Sequence, residues 1–200
     1  MRLFIAIYPP VEAIAHLTTR LAGLRLAAAS AAGTNVRLVD PATAHLTLAF
    51  LGEVDPTRLT ELRQVLPRAV AAARSGAAAE APVGCDDPPV LRLGGGGRFG
   101  WGRSTVLWAD VRGDVSQLGV LAGAVRTALT VAGFPGDEKP FRPHLTIARP
   151  GDRLPHADIE ADLAALDDYL GPPWPAEELV LVQSQPGPPS RYHRLAAWPL

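Results

Sequence analysis

Cysteine is all but missing: Cys85 is the only one in 200 residues, which excludes an internal disulfide and a cysteine-based zinc site. Charge of one sign is lacking as well. Nineteen basic against twenty acidic side chains leave a formal charge of −1, so nothing draws the whole chain toward nucleic acid or an anionic membrane, and any polyanion site must be a local patch. Long apolar runs are absent too. Behind Met1-Arg2 the run from Leu3 to Tyr8 stops at Pro9-Pro10, too short for a signal-peptide core and far short of a membrane span. A soluble protein of the reducing cytoplasm, with no membrane partner, is expected. Lysine is reduced to Lys139 alone, a skew that accompanies an abundance of Ala, Gly and Pro and reads as compositional bias.

What is present is 48% hydrophobic, enough for one sizeable core or two small lobes but not two independent domains. A single unit over 1–200, working as a monomer, is the expectation. Period-two alternation predicts strands over 2–8, 35–39, 44–51, 90–93, 104–111, 178–185 and 191–198, with a further candidate at 81–85. Residues 35–39 and 44–51 are expected to neighbour each other in one sheet. Helical spacing predicts helices over 11–29, 57–74 with a kink or break at Pro67, 115–131 and 159–170. Gly94 to Gly102 reads as an adaptable loop, and Pro186 to Pro189 as the turn of a closing hairpin. Strands and helices that alternate while neighbouring strands adjoin indicate α+β rather than a doubly wound parallel sheet.

Two stretches stand apart. In His45-Leu46-Thr47-Leu48 and His144-Leu145-Thr146-Ile147, alternation puts His and Thr on one face and the aliphatic pair on the other. Threonine is 11 of 200 residues, so five histidines give about 0.3 His-x-Thr by chance; two, with matching flanks, argue for a function. Metal binding is the weaker reading, because each strand offers one nitrogen ligand and neither His-x-His nor His-Glu-x-x-His occurs. Two imidazoles facing one substrate can divide acid and base between them near neutral pH. Phosphodiester cleavage by in-line displacement needs that division, and the threonine hydroxyls can hydrogen-bond the non-bridging oxygens where charge gathers. No metal or cofactor is required. His16, His156 and His193 read as surface residues, and the glycine run lacks the Gly-Lys-Ser/Thr ending of a nucleotide-binding loop.

The paired motifs resemble the two-histidine phosphoesterase superfamily. Phe50-Leu51-Gly52, Val106-Leu107-Trp108, the run from Phe141 to Arg149 and the closing Tyr192 to Leu200 segment narrow the resemblance to its RNA 2′,3′-cyclic phosphodiesterase branch, historically the 2′-5′ RNA ligase family. The resemblance implies a bilobal α+β fold, two pseudo-symmetric lobes of mainly antiparallel sheet lining a cleft with helices outside. It also implies RNA ending in a 2′,3′-cyclic phosphate as substrate, opened to a 2′-phosphate. Carried onto this chain, His45 would protonate the departing 3′ oxygen and His144 would activate water, with Thr47, Thr146 and Arg149 holding the phosphate. Arg149 lies five residues after His144 and would face away on a regular strand, so a bend or bulge is required. Phe141 and Trp101 are candidates for stacking on bases. A related enzyme acting on a small cyclic or 2′-5′-linked nucleotide, and a non-catalytic RNA-end binder, are the alternatives.

Overall fold

The computed structural model describes residues 1–76, 87–136, 139–185, 187 and 191–200. The candidate strand at 81–85 and most of the turn at 186–189 lie outside them. Strand β1 (Arg2–Ile7) turns Leu3, Ile5 and Ile7 into the main core, while Phe4 and Ala6 join Val180 and Val182 in a small second cluster on the other face. Pro9-Pro10 ends the strand and leads into α1 (Val11–Leu21).

The single helix expected over 11–29 is two. Leu24 is extended and buried, and α2 (Arg25–Ala31) restarts behind it because buried Asp162 accepts the backbone N–H groups of Arg25 and Leu26, each at 2.9 Å. A carboxylate from a distant part of the chain therefore supplies the cap that the local sequence lacks. The segment 35–39 makes only a bridge, Leu38 to Ala148, and is not the neighbour of the first histidine strand as expected. That strand, β2 (Leu46–Glu53), pairs with β1 instead. The helix α3 (Leu59–Arg74) runs through Pro67 without a break. Leu62 and Leu66 before the proline and Ala69 and Val70 after it are all buried, and this packing outweighs the lost backbone bond.

The glycine run is not a loop. β3 (Val90–Phe99) passes through Gly94–Gly97 and pairs with β4 (Val106–Gly113). The glycines are there because neighbours occupy the space a Cβ would need: one on Gly97 would lie 2.1 Å from Trp108 Cη2, and one on Gly96 would lie 2.8 Å from Leu166 Cδ1. Behind β4 come α4 (Val115–Val131), β5 (His144–Ala148), α5 (His156–Asp167) and the short β6 (Trp174–Pro175), which the sequence reading missed. A closing hairpin of β7 (Glu178–Gln185) and β8 (Arg191–Pro199) matches expectation.

All strand pairings are antiparallel, in the order β6-β3-β4-β5-β2-β1-β7-β8. About its middle the order is pseudo-symmetric: β2 and β5 meet at the centre, β1 and β4 flank them, and β7 and β3 come next. The helices cross over. α1 follows β1 yet packs against β3, and α4 follows β4 yet packs against β2. The result is an α+β fold with a curled antiparallel sheet and two related halves, joined at the centre by one rung, Leu46 opposite Leu145.

Candidate active site

The central rung carries the two motifs. With Leu46 and Leu145 buried in the core, alternation sends His45, Thr47, His144 and Thr146 to the opposite face. All four line one cleft of about 470 Å³, together with Arg149.

Each imidazole is set by the same local device. Asp40 caps a single 3-10 turn, Pro41–Thr43, by accepting from the Ala42 N–H at 2.9 Å, and the Thr43 carbonyl that follows accepts from His45 Nδ1 at 2.7 Å. In the other half the Arg142 carbonyl, fixed by Pro143 after it, accepts from His144 Nδ1 at 2.7 Å. A carbonyl can only accept, so both rings carry their proton on Nδ1 when neutral. Nε2 is then the nitrogen left for chemistry, a base when bare and an acid when protonated.

The bulge demanded by Arg149 exists, and it exists twice. Opposite β4, Thr146 pairs with Trp108 and Ala148 with Leu107, leaving Ile147 as the extra residue. Opposite β1, Thr47 pairs with Ala6 and Ala49 with Ile5, leaving Leu48 extra in the same place. Each bulged carbonyl finds a partner outside its ladder: Ile147 accepts from the Val39 N–H at 2.8 Å, and Leu48 accepts from Arg126 Nε at 3.0 Å. The shift of face brings the residue five places after each histidine into the cleft lining. In one half that residue is Arg149, in the other Phe50.

Aromatic rings surround both imidazoles. Phe4 stacks on His45 at 4.8 Å between centroids, and Tyr192 meets it edge-on at 5.3 Å. Phe99 stands edge-on to His144 at 4.9 Å, with Trp108 at 6.1 Å behind. Burial is the main reason that both imidazoles sit below the ordinary value of 6.5. The Nδ1 bonds pull the other way. Arg149 lowers both further, aided by His144 at His45 and by Arg142 at His144, while Asp110 raises His144.

The two expected stacking residues lie elsewhere. Phe141 packs on the main core beside Arg126, and Trp101, 67% exposed, lies under the Arg98 guanidinium at 3.2 Å; neither lines the cleft. The aromatic lining comes instead from Phe4, Phe50 and Tyr192. Phe50 was visible only as part of a motif, and its exposure of 49% is the signal that sets it apart. His16, His156 and His193 are exposed, as expected. Among the described residues no group of three or more His, Cys, Asp or Glu could hold a metal ion, and no helix is long and apolar enough to cross a membrane.

Comparison with known proteins gives the family. Residues 6–188 match the model of the 2′-5′ RNA ligase superfamily. A protein of Thermus thermophilus named RNA 2′,3′-cyclic phosphodiesterase is 30% identical over 196 residues, 92% of this chain and 82% of the relative. One of the same name from Geobacillus stearothermophilus is 31% identical over 159 residues, 78% of this chain but only 45% of the relative. The crystal structure of E. coli LigT complexed with ATP superposes with a TM-score of 0.68 at 25% identity, covering all of this chain and 97% of the other. The chain belongs to the 2′-5′ RNA ligase superfamily.

Proposed function

We propose that the protein hydrolyses RNA 2′,3′-cyclic phosphate ends to 2′-phosphate ends, without a metal, by paired-histidine acid/base catalysis. The observation that carries this reading is the pair of imidazoles in one cleft, each with Nδ1 tied to a carbonyl and Nε2 left for the substrate. The names of the two relatives support the substrate, and ATP in the LigT structure supports a nucleotide. In the reaction, His144 Nε2 takes a proton from water as its oxygen bonds to phosphorus. His45 Nε2 donates a proton to the 3′ oxygen as the P–O3′ bond breaks. The hydroxyls of Thr47 and Thr146 donate to the non-bridging oxygens, and the Arg149 guanidinium faces the charge that grows there. The test is incubation with an RNA bearing a 2′,3′-cyclic phosphate and assignment of the product isomer. A 2′-phosphate is expected; a 3′-phosphate would reverse the leaving group, and an unaltered end would remove the reading.

The lowered imidazole values set the pH dependence. The base must be neutral and the acid protonated, so kcat/KM falls on both sides of an optimum. A depressed base stays active further into acid, and a depressed acid loses its proton earlier as pH rises. Both shifts move the bell the same way, so the optimum is expected on the acid side of neutrality. The limbs belong to the coupled pair, and single variants separate them: the residual activity of His45→Ala should lack the alkaline limb and that of His144→Ala the acidic one. An optimum in the alkaline range would contradict the electrostatics of the cleft, and exchanged limbs would exchange the roles.

A further inference from the structure

A second pocket of about 470 Å³ adjoins the catalytic cleft, and Arg149 lines both. Three separate segments build it: Arg37 from before β2, Arg103 to Val106 leading into β4, and Arg149 to Arg153 after β5. They are held together closely. Gly151 adopts φ +61, and a Cβ there would lie 3.3 Å from the Arg103 carbonyl oxygen. Arg37 is, among the described residues, the one non-glycine residue with a left-handed backbone, φ +50, and its carbonyl accepts from the Arg149 N–H at 3.2 Å. A non-glycine residue stays in that region only where the surrounding structure imposes it.

The charge of this pocket is one-sided. Arg37, Arg103, Arg149 and Arg153 line it against a single carboxylate, Asp152, which pairs with Arg103 at 3.3 Å. Arg37, Arg149 and Arg153 have no carboxylate partner among the described residues. The hydroxyl-bearing Ser104 and Thr105 complete the wall. In a chain whose formal charge is −1, such a local concentration of guanidinium groups is a site for a polyanion.

We infer that this pocket binds the backbone phosphates of the RNA strand on the 5′ side of the cyclic end, so that the protein prefers an oligonucleotide terminus to a cyclic mononucleotide. The inference rests on the proposed reaction. A 2′,3′-cyclic phosphate closes the 3′ end, so the rest of the strand can leave the cleft only through the 5′ oxygen of the terminal nucleoside. Arg149 stands at the junction, and a strand passing it meets Arg37, Arg103 and Arg153. Guanidinium groups grip phosphate oxygens in pairs without reading bases, which gives affinity for any sequence.

The experiment compares kcat and KM for a nucleoside 2′,3′-cyclic phosphate and for a short oligoribonucleotide ending in the same cyclic nucleotide, as salt is varied. Wild type and an Arg37→Gln, Arg103→Gln, Arg153→Gln triple variant are measured, with the corresponding triple lysine variant as charge control. The wild type should favour the oligonucleotide by roughly tenfold or more at low salt, with a logarithmic salt slope of about −0.7 for each phosphate held. The glutamine variant should raise KM for the oligonucleotide and flatten that slope, leave the mononucleotide unchanged, and be rescued in large part by lysine. Equal turnover of both substrates by the wild type would overturn the inference while leaving the proposed reaction standing. So would a glutamine variant that slows both substrates alike, which would make these arginines supports for Arg149. If neither substrate were hydrolysed, the proposed reaction itself would fall, and this subsite with it.

Discussion

Replacing either His45 or His144 with alanine should lower kcat by roughly a hundredfold to ten-thousandfold, while the fold remains. In the proposed mechanism each imidazole makes one proton transfer in a single displacement, so neither can take over the other's task. Because they act in the same transition state, the double variant should be little worse than the poorer single one. The fold survives because the motifs are anchored from their other face: Leu46, Leu48, Leu145 and Ile147 are at most 3% exposed and are untouched. What is lost structurally is small, a bond from Nδ1 to a carbonyl at the cleft edge and ring contacts, the closest with Phe4 for His45 and with Phe99 for His144. Circular dichroism and thermal melting check the fold, and single-turnover kinetics the step. A well-folded variant with near wild-type rate would end the two-histidine mechanism.

A large loss of stability is expected from a side chain at Gly97. Its partner across the ladder is Trp108, 1% exposed, whose ring fills the space where a Cβ would be. A 2.1 Å approach cannot be absorbed, so Gly97→Ala must move either the indole or the strand, at a cost of about 1–3 kcal/mol or more. Trp108 also lies behind His144 and under the Arg142 guanidinium, 4.4 Å away. Turnover should therefore fall along with the melting temperature. Gly123 is the control: it sits on the exposed side of α4 with nothing within 4 Å, and alanine there should stabilise by about 0.4–1 kcal/mol. If Gly97→Ala melted and turned over like the wild type, the close approach of β3 to Trp108 would be wrong.

The same glycine run marks where the sequence misled. Four consecutive glycines read as flexibility, because composition reports what a residue permits and not what its neighbours exclude. Only the folded chain shows the requirement: Leu170 and Tyr169 crowd Gly94, Gly95 is left-handed, Leu166 crowds Gly96 and Trp108 crowds Gly97. By contrast the histidine motifs were legible, since an imidazole set into an aliphatic alternation has no packing reason to be there. The need for a bulge before Arg149 was legible for the same reason, from parity alone. Its twin at Leu48 was not, because Phe50 raised no contradiction on an apolar strand. Phe4 and Tyr192 were beyond reach for a different cause: they touch His45 from 41 residues before it and 147 after it, and nothing local records such a meeting. Asp162, which restarts a helix 136 residues away, belongs with them.

The exchange of strands and helices between the two halves has a consequence in time. β1 is flanked by β2, which follows it early, and by β7, which lies near the far end of the chain. α1 completes its packing only when β3 arrives. On a ribosome delivering residues in order, the first half cannot close by itself, and its unpaired β1 edge remains exposed until residues 178–185 emerge. The rung between Leu46 and Leu145 spans 99 residues of chain, so the two imidazoles come together late and at once. Nascent fragments that stop short of β7 and β8 therefore carry one histidine motif or two without Ser184 and Tyr192, which complete the lining of the cleft.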